Sequence, residues 1–98
     1  MREILLDGSL ITDKNQLHTI FAQRLSFPEW YGNNLDALYD CLTDVREETS
    51  IKICSFGRLR DNLGGYADKV KKVLRNAEAD NRFIHLIIVR EEENESAQ

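Results

Sequence analysis

The sequence has few cysteines, no long hydrophobic run and no excess of positive charge. Cys41 and Cys54 form no C-x-x-C pair and fit no zinc pattern, so we expect two reduced thiols in the core. The first residues lead into a short apolar run that stops at Asp7, and this pattern predicts neither a signal peptide nor a membrane span. A net charge of −4 disfavours direct nucleic-acid binding, which needs Lys and Arg against phosphates. These absences predict a cytoplasmic protein that contacts no membrane and holds no metal or cofactor.

The spacing of apolar residues predicts a small α/β domain. Short apolar runs predict three strands, at residues 4–6, 51–54 and 83–89. Apolar residues at helical spacing predict two helices between the first and second strands, and one or two between the second and third. Helical crossovers favour a parallel sheet, so the predicted fold class is a three-stranded parallel sheet with packed helices. We expect a single domain over residues 1–90 and a disordered acidic tail over residues 91–98.

Several polar residues are predicted to shape these elements. Asp13 can cap the first helix, with Gln16 completing a capping box, and Asn33 or Asn34 can cap the second. The last strand is apolar apart from His85, so we expect a strand buried on both faces with His85 as a core residue.

The second predicted helix carries an unusual charge pattern. Asp36, Asp40 and Asp44 recur every four residues, opposite a stripe of apolar side chains, and no Lys or Arg lies among them. A solvated helix face usually mixes charges of both signs, and like charges at this spacing cost about 0.2–0.5 kcal/mol per pair. Aspartate is also a poor residue for a helix interior. A helix selected only for stability would not carry this pattern, which therefore indicates a functional acidic face that suits a basic partner.

Aromatic residues flank the acidic positions. Tyr39 lies beside Asp36 and Asp40 on the predicted helix, and Trp30 and Tyr31 lie in the loop before it. Aromatic side chains beside charges are typical of interface hot spots. Core packing is the alternative for each ring, and one of the two loop aromatics can point inward while the other points outward.

The run P-E-W-Y-G-N-N-L-D-A-L-Y-D-C-L-T, residues 28–43, closely resembles the barstar family of intracellular ribonuclease inhibitors. The likeness extends more loosely over most of the chain, including Leu17-His18 and the final apolar strand. The resemblance implies the same fold, a monomer without enzymatic activity, and a basic partner that is a secreted-type ribonuclease or a related toxin. A ribonuclease must present cationic groups to RNA phosphate, and a helix with several carboxylates can occupy that site. The implied partner-binding residues are Trp30, Tyr31, Asn34, Asp36, Tyr39, Asp40, Thr43, Asp44 and Asn76.

The chain departs from the family's type member at the expected rim of the contact. After Thr43 the type member has Gly and Trp, where this chain has Asp44 and Val45. The type member also has an acidic residue where this chain has Asn76. These differences bear on the identity of the partner more than on the fold.

Two other functions are compatible with the sequence. A non-inhibitory interaction module could use the same acidic face to bind another basic protein. A Mg²⁺-dependent phosphate-ester enzyme could use Asp7, which falls at the carboxyl end of a predicted strand. The chain has no P-loop and no G-x-S-x-G elbow, and a turn at Asp7-Gly8 is the simpler interpretation. His18 has no partners for a catalytic triad, so we expect a structural or surface role for it.

Overall fold

A computed structural model of the protein describes residues 1–89. It contains a three-stranded parallel sheet and four helices, as predicted. In chain order the elements are β1 (Arg2–Asp7), a 3₁₀ turn (Gly8–Leu10), α1 (Lys14–Leu25), α2 (Leu35–Thr43), β2 (Thr49–Cys54), α3 (Phe56–Leu63), α4 (Gly65–Asp80) and β3 (Ile84–Ile88). The predicted tail over residues 91–98 lies outside the described residues.

The sheet buries one of its two faces. The strands lie in the order β1-β2-β3, and the parallel register pairs Ile4 with Ile51 and Ile51 with Leu86. Burial alternates along each strand, which shows that a single face of the sheet packs into the core. On the other face Leu5 and Ile87 are about half exposed. The expectation that the last strand is buried on both faces was therefore wrong, because only one face of the sheet is covered, for β3 as for the central strand β2.

The prediction for His85 was also wrong, for the same reason. Since side chains alternate along β3, His85 points away from the core between the buried Ile84 and Leu86. Its Nε2 atom lies 2.6 Å from Oε1 of Glu48. His85 is a surface residue paired with a carboxylate.

Side-chain caps start α1 and α2, the helices on either side of residues 26–34. We call this segment, which carries Trp30 and Tyr31, the aromatic loop. The Asp13 carboxylate accepts the backbone N–H of Gln16 at 2.8 Å, so the predicted cap of α1 is confirmed. The Gln16 side chain reaches back as predicted, but it accepts the backbone N–H of Thr12 at 2.8 Å instead of completing the box at Asp13. Helix α1 ends at Leu25 because Ser26 adopts a left-handed conformation, with φ 57°.

Helix α2 packs against α4, with Leu38 and Leu42 fully buried on its inner side. The end of α2 is held by Asn81, a buried residue that follows α4. Its side-chain amide donates to the backbone oxygens of Leu42 and Val45, each at 2.9 Å. These bonds tie the end of α2 and the residues that follow it to the segment after α4. The outer face of α2 is therefore held in a defined orientation.

None of the helices within residues 1–89 is both long enough and apolar enough to cross a membrane.

Candidate functional site

The candidate site begins with the cap of α2. Asn34, and not Asn33, caps the helix: its Oδ1 atom accepts the backbone N–H of Ala37 at 2.8 Å. Asn33 instead adopts a left-handed conformation with φ 53° and turns the chain into the cap. The cap fixes where the helix starts, and the burial of Leu38 and Leu42 leaves Asp36 and Asp40 on the outer side.

Two carboxylates lie on the outer face of α2, and a third directly follows its last residue. Asp36, Asp40 and Asp44 are all exposed, and Asp44 is the C-cap residue that directly follows the helix. Within residues 1–89 none of these carboxylates has an ion pair or a side-chain hydrogen bond. The folded protein thus carries three adjacent negative charges that no described cation neutralises. We refer to Asp36, Asp40 and Asp44 as the acidic face.

Tyr39 connects the acidic face to α4. Its hydroxyl donates a hydrogen bond to the carboxylate of Asp80, in the last turn of α4. This bond is the main reason that the pKa of Tyr39 is raised, with burial and the charges of Asp80 and Asp40 acting in the same direction. Asn76 is exposed one turn earlier on α4, close to this contact.

Asp80 is the residue near the site that the sequence pattern did not single out. It lies four residues after Asn76 on one helix, so helical spacing alone could have indicated a shared face. Its contact with Tyr39 is a matter of tertiary packing between α2 and α4. Through this contact a fourth carboxylate joins the edge of the acidic face.

Thr43 is half-buried and engaged within its own helix. Its hydroxyl donates to the backbone oxygens of Tyr39 and Asp40, at 3.1 Å and 3.0 Å. Cys41 lies on the inner side, and burial followed by the charges of Asp44 and Asp40 raises the pKa of its thiol. The prediction of two free cysteines is confirmed for Cys41 and Cys54, although Cys54 is only partly buried.

The two loop aromatics point in opposite directions. Trp30 is 70% exposed, whereas Tyr31 is 8% exposed and belongs to the core. The ring of Tyr31 packs 4.9 Å from that of Phe27, between ring centroids, and its hydroxyl lies 2.5 Å from Nδ1 of His18. Trp30 is thus available to a partner protein, and Tyr31 supports the loop from beneath. His18 is structural, as expected.

A cleft of about 230 Å³ joins the exposed tryptophan to the end of the acidic face. Pro28 and Trp30 from the loop and Asp44 and Val45 from the end of α2 are among the residues that line it. Arg2 lies in the cleft with its Nε atom 3.4 Å from Oε1 of Glu47, so a carboxylate compensates its charge. Two of the positions that differ from the type inhibitor, Asp44 and Val45, therefore shape a concave surface next to Trp30.

The structure gives Asp7 a capping role. Its carboxylate accepts the N–H and the hydroxyl of Ser9 at 3.0 Å and 2.6 Å and so begins the 3₁₀ turn. These bonds, the hydroxyl bond first, lower the pKa of Asp7. Across the described part of the chain no group of three or more His, Cys, Asp or Glu side chains is arranged to hold a metal ion. The turn predicted at Asp7-Gly8 is confirmed.

Comparison with known proteins identifies the family to which the chain belongs. The family described as Barstar (barnase inhibitor) matches residues 1–92. The chain is also similar to the protein named "Putative ribonuclease inhibitor YrdF" from Bacillus subtilis (strain 168), with 37% identity over 90 residues. That alignment covers 91% of this chain and 99% of the relative. The chain belongs to the barstar family, a family of inhibitors, and this membership supports a role in ribonuclease inhibition.

Proposed function

We propose that this protein is an intracellular inhibitor that blocks the cationic active site of a basic, secreted-type ribonuclease or a related toxin with its acidic face and the preceding loop. The observation that carries the proposal is the exposure of Asp36 and Asp40 without any described cationic neighbour. The family membership and the named relative support the same class of partner. Neither catalysis nor a cofactor is needed for this function.

The charge arrangement is suited to an enzyme that binds RNA phosphates. Such an enzyme must place Lys, Arg or His side chains in its active site, and carboxylates at helical spacing can contact several of them at once. Opposite charge speeds the encounter between the two proteins, and desolvated charge pairs then slow dissociation. Because Asp36 and Asp40 have no internal ion pair within residues 1–89, binding breaks none there.

Trp30 supplies the apolar part of the proposed contact. An aromatic ring that is 70% exposed beside an array of charges can bury a large area against a partner at a small cost in side-chain entropy. Asn34, Tyr39 and Thr43 lie at the ends and side of the same surface, where we expect them to make contacts at its edge. Tyr31 contributes by holding the loop, since its ring is in the core.

We propose that the rim residues set the choice of partner. Asp44 adds a carboxylate beside the cleft, and Asn76 lacks one on α4, so the negative charge is shifted towards the loop side of the surface. A partner with cations opposite Asp44 is favoured, and one that relies on a cation opposite Asn76 is disfavoured. We further propose that residues 1–90 act as one unit and as a monomer in the cytoplasm, and that residues 91–98 are not required.

The experiment that tests the proposal is an RNA-cleavage assay with a panel of purified basic microbial ribonucleases. The wild-type protein should inhibit at least one of them, and Asp36→Asn and Asp40→Asn should each weaken inhibition sharply. Asp61→Asn is the matched control, because Asp61 is an exposed aspartate on α3 and the change removes the same charge. Inhibition should also weaken steeply as salt rises, since added ions screen exposed charges.

Two results would contradict the proposal. Equal loss of inhibition in Asp61→Asn and Asp40→Asn would mean that net charge, and not the acidic face, determines binding. Capture of a basic protein without ribonuclease activity, together with no inhibition across the panel, would favour the non-inhibitory interaction module. Variants Asp44→Gly and Asn76→Glu, tested on the same panel, should change the order of preference among the enzymes.

A further inference from the structure

A buried hydrogen-bonded bridge connects the aromatic loop to two helices. His18, in α1, has no solvent exposure, and its Nδ1 and Nε2 atoms lie 2.5 Å and 2.7 Å from the hydroxyls of Tyr31 and Tyr66. Tyr31 belongs to the loop before α2, and Tyr66 belongs to α4. A neutral imidazole has one donor and one acceptor, so a single tautomer satisfies both hydroxyls.

The surroundings of His18 keep the ring uncharged. Tyr31 faces it from the loop and Tyr66 faces it from α4, while the ammonium group of Lys14 lies 4.6 Å from the centroid of the Tyr66 ring. Cys41, on α2, acts electrostatically on Tyr31. None of these groups is an anion at neutral pH, so none of them stabilises a positive charge on the ring. Burial accordingly lowers the pKa of His18.

The loop needs such support because its own backbone is irregular. It begins after Ser26 and ends at Asn33, both in the left-handed region, and Tyr31 closes a turn by donating its N–H to the oxygen of Pro28 at 3.0 Å. Trp30 is adjacent to Tyr31 and mostly exposed. A side chain anchored in the core next to an exposed side chain fixes the direction in which the exposed one points.

We propose that His18 is a positioning residue for inhibition: by holding the Tyr31 hydroxyl, it preorganises the loop that presents Trp30 and leads into the acidic face. This inference rests on the proposed function and adds a residue that would not touch the partner. A loop that is already ordered in the free protein has less conformational entropy to lose on binding. Loss of the bond should weaken inhibition about tenfold, mainly through faster dissociation.

The two tyrosines allow the positioning role to be separated from a purely structural one. Tyr31→Phe and Tyr66→Phe each remove one hydroxyl that is bonded to the same imidazole. If the bridge only stabilised the fold, the two variants would behave alike in every assay. If it positions the loop, Tyr31→Phe disturbs the loop, whereas Tyr66→Phe leaves the bond to Tyr31 in place.

The test combines stability, loop order and inhibition. Trp30 is the one tryptophan in the sequence, so acrylamide quenching and anisotropy of its fluorescence report on the loop of the free protein. We expect both variants to lose a similar amount of stability in urea. We expect Tyr31→Phe alone to increase Trp30 quenching and to weaken inhibition about tenfold, while Tyr66→Phe matches the wild type in both. His18→Phe, where it folds, should behave like Tyr31→Phe.

Equal effects of the two tyrosine variants on Trp30, or an unchanged Trp30 signal in Tyr31→Phe, would overturn the proposal. So would unchanged inhibition by Tyr31→Phe of an enzyme that the wild type inhibits. The fluorescence measurement uses the free protein, so it tests whether the bond between His18 and Tyr31 orders the loop, independently of the partner. Absence of inhibition by the wild type would instead contradict the proposed function.

Discussion

Replacing Asp40 with alanine should stabilise the free protein and weaken partner binding. Asp40 has no described ion pair or side-chain hydrogen bond, so its removal breaks no contact within residues 1–89. Two like-charge neighbours lie four residues away, and each such pair costs about 0.2–0.5 kcal/mol. Alanine is also a better helix former than aspartate, by up to about 0.7 kcal/mol. Asp44 caps the helix and does not lie within it, which weakens its repulsion. We therefore expect a net gain of about 0.5–1 kcal/mol.

Asp40→Asn separates the two contributions to that gain. Asparagine has nearly the helix propensity of aspartate but no charge, so this variant should keep only the electrostatic part, about 0.3–0.5 kcal/mol. Its stabilisation should disappear in about 1 M salt, where the screening length is about 3 Å. The alanine variant should keep its propensity gain at the same salt. In thermal melts, the alanine variant should unfold about 2–8 °C above the wild type.

Inhibition of a ribonuclease should change in the opposite direction in the same variants. Asp40→Ala and Asp40→Asn should both bind much more weakly, because the lost carboxylate faces the partner's cations. A fall in stability for both variants would refute the electrostatic argument and would indicate a structural hydrogen bond to Asp40. Higher stability with unchanged inhibition would mean that the acidic face is only a solvated helix surface.

Three further predictions concern the framework of the site. Asn81→Ala should destabilise the protein by about 2–4 kcal/mol in urea melts. The change removes the two bonds that the amide donates to the oxygens of Leu42 and Val45, and the bond that its oxygen accepts from the backbone N–H of Phe83. A loss below about 0.5 kcal/mol would show that water replaces the amide. In the same melts, Gly8→Ala should destabilise the protein by about 1–3 kcal/mol, since the new Cβ would collide with the backbone oxygen of Ser55 and lie 2.8 Å from Cβ of Leu59. Gly65→Ala is the control, because a Cβ there meets nothing within 4 Å. Stability should fall as the pH drops below about 6.5, because the unfolded chain then binds a proton at His18. The folded protein does not bind it there, since burial lowers the pKa of His18. Urea melts from pH 5 to 8 on the wild type and on His18→Phe should show that this part of the pH dependence is absent from the variant.

Features that depend on a few consecutive residues could be predicted from the sequence. Apolar spacing, with caps at Asp13 and at Asn33 or Asn34, indicated the first two helices and the outward direction of the acidic face, because helical period and capping are local properties. The crossover argument likewise predicted the parallel sheet. The dense match over residues 28–43 was enough to indicate the family, because many residues agree there at fixed spacing.

Features that depend on which distant residues meet required the three-dimensional structure. The burial of β3 could not be predicted from its apolar run, because a strand with one covered face can have the same composition as a strand covered on both faces. The opposite directions of Trp30 and Tyr31, neighbours in one loop, depend on the position of His18 thirteen residues away from Tyr31. The contact of Tyr39 with Asp80 requires α2 and α4 to pack side by side. The local sequence determines which side chains share the outer face of α2, and the packing of distant elements determines which residues contact that face.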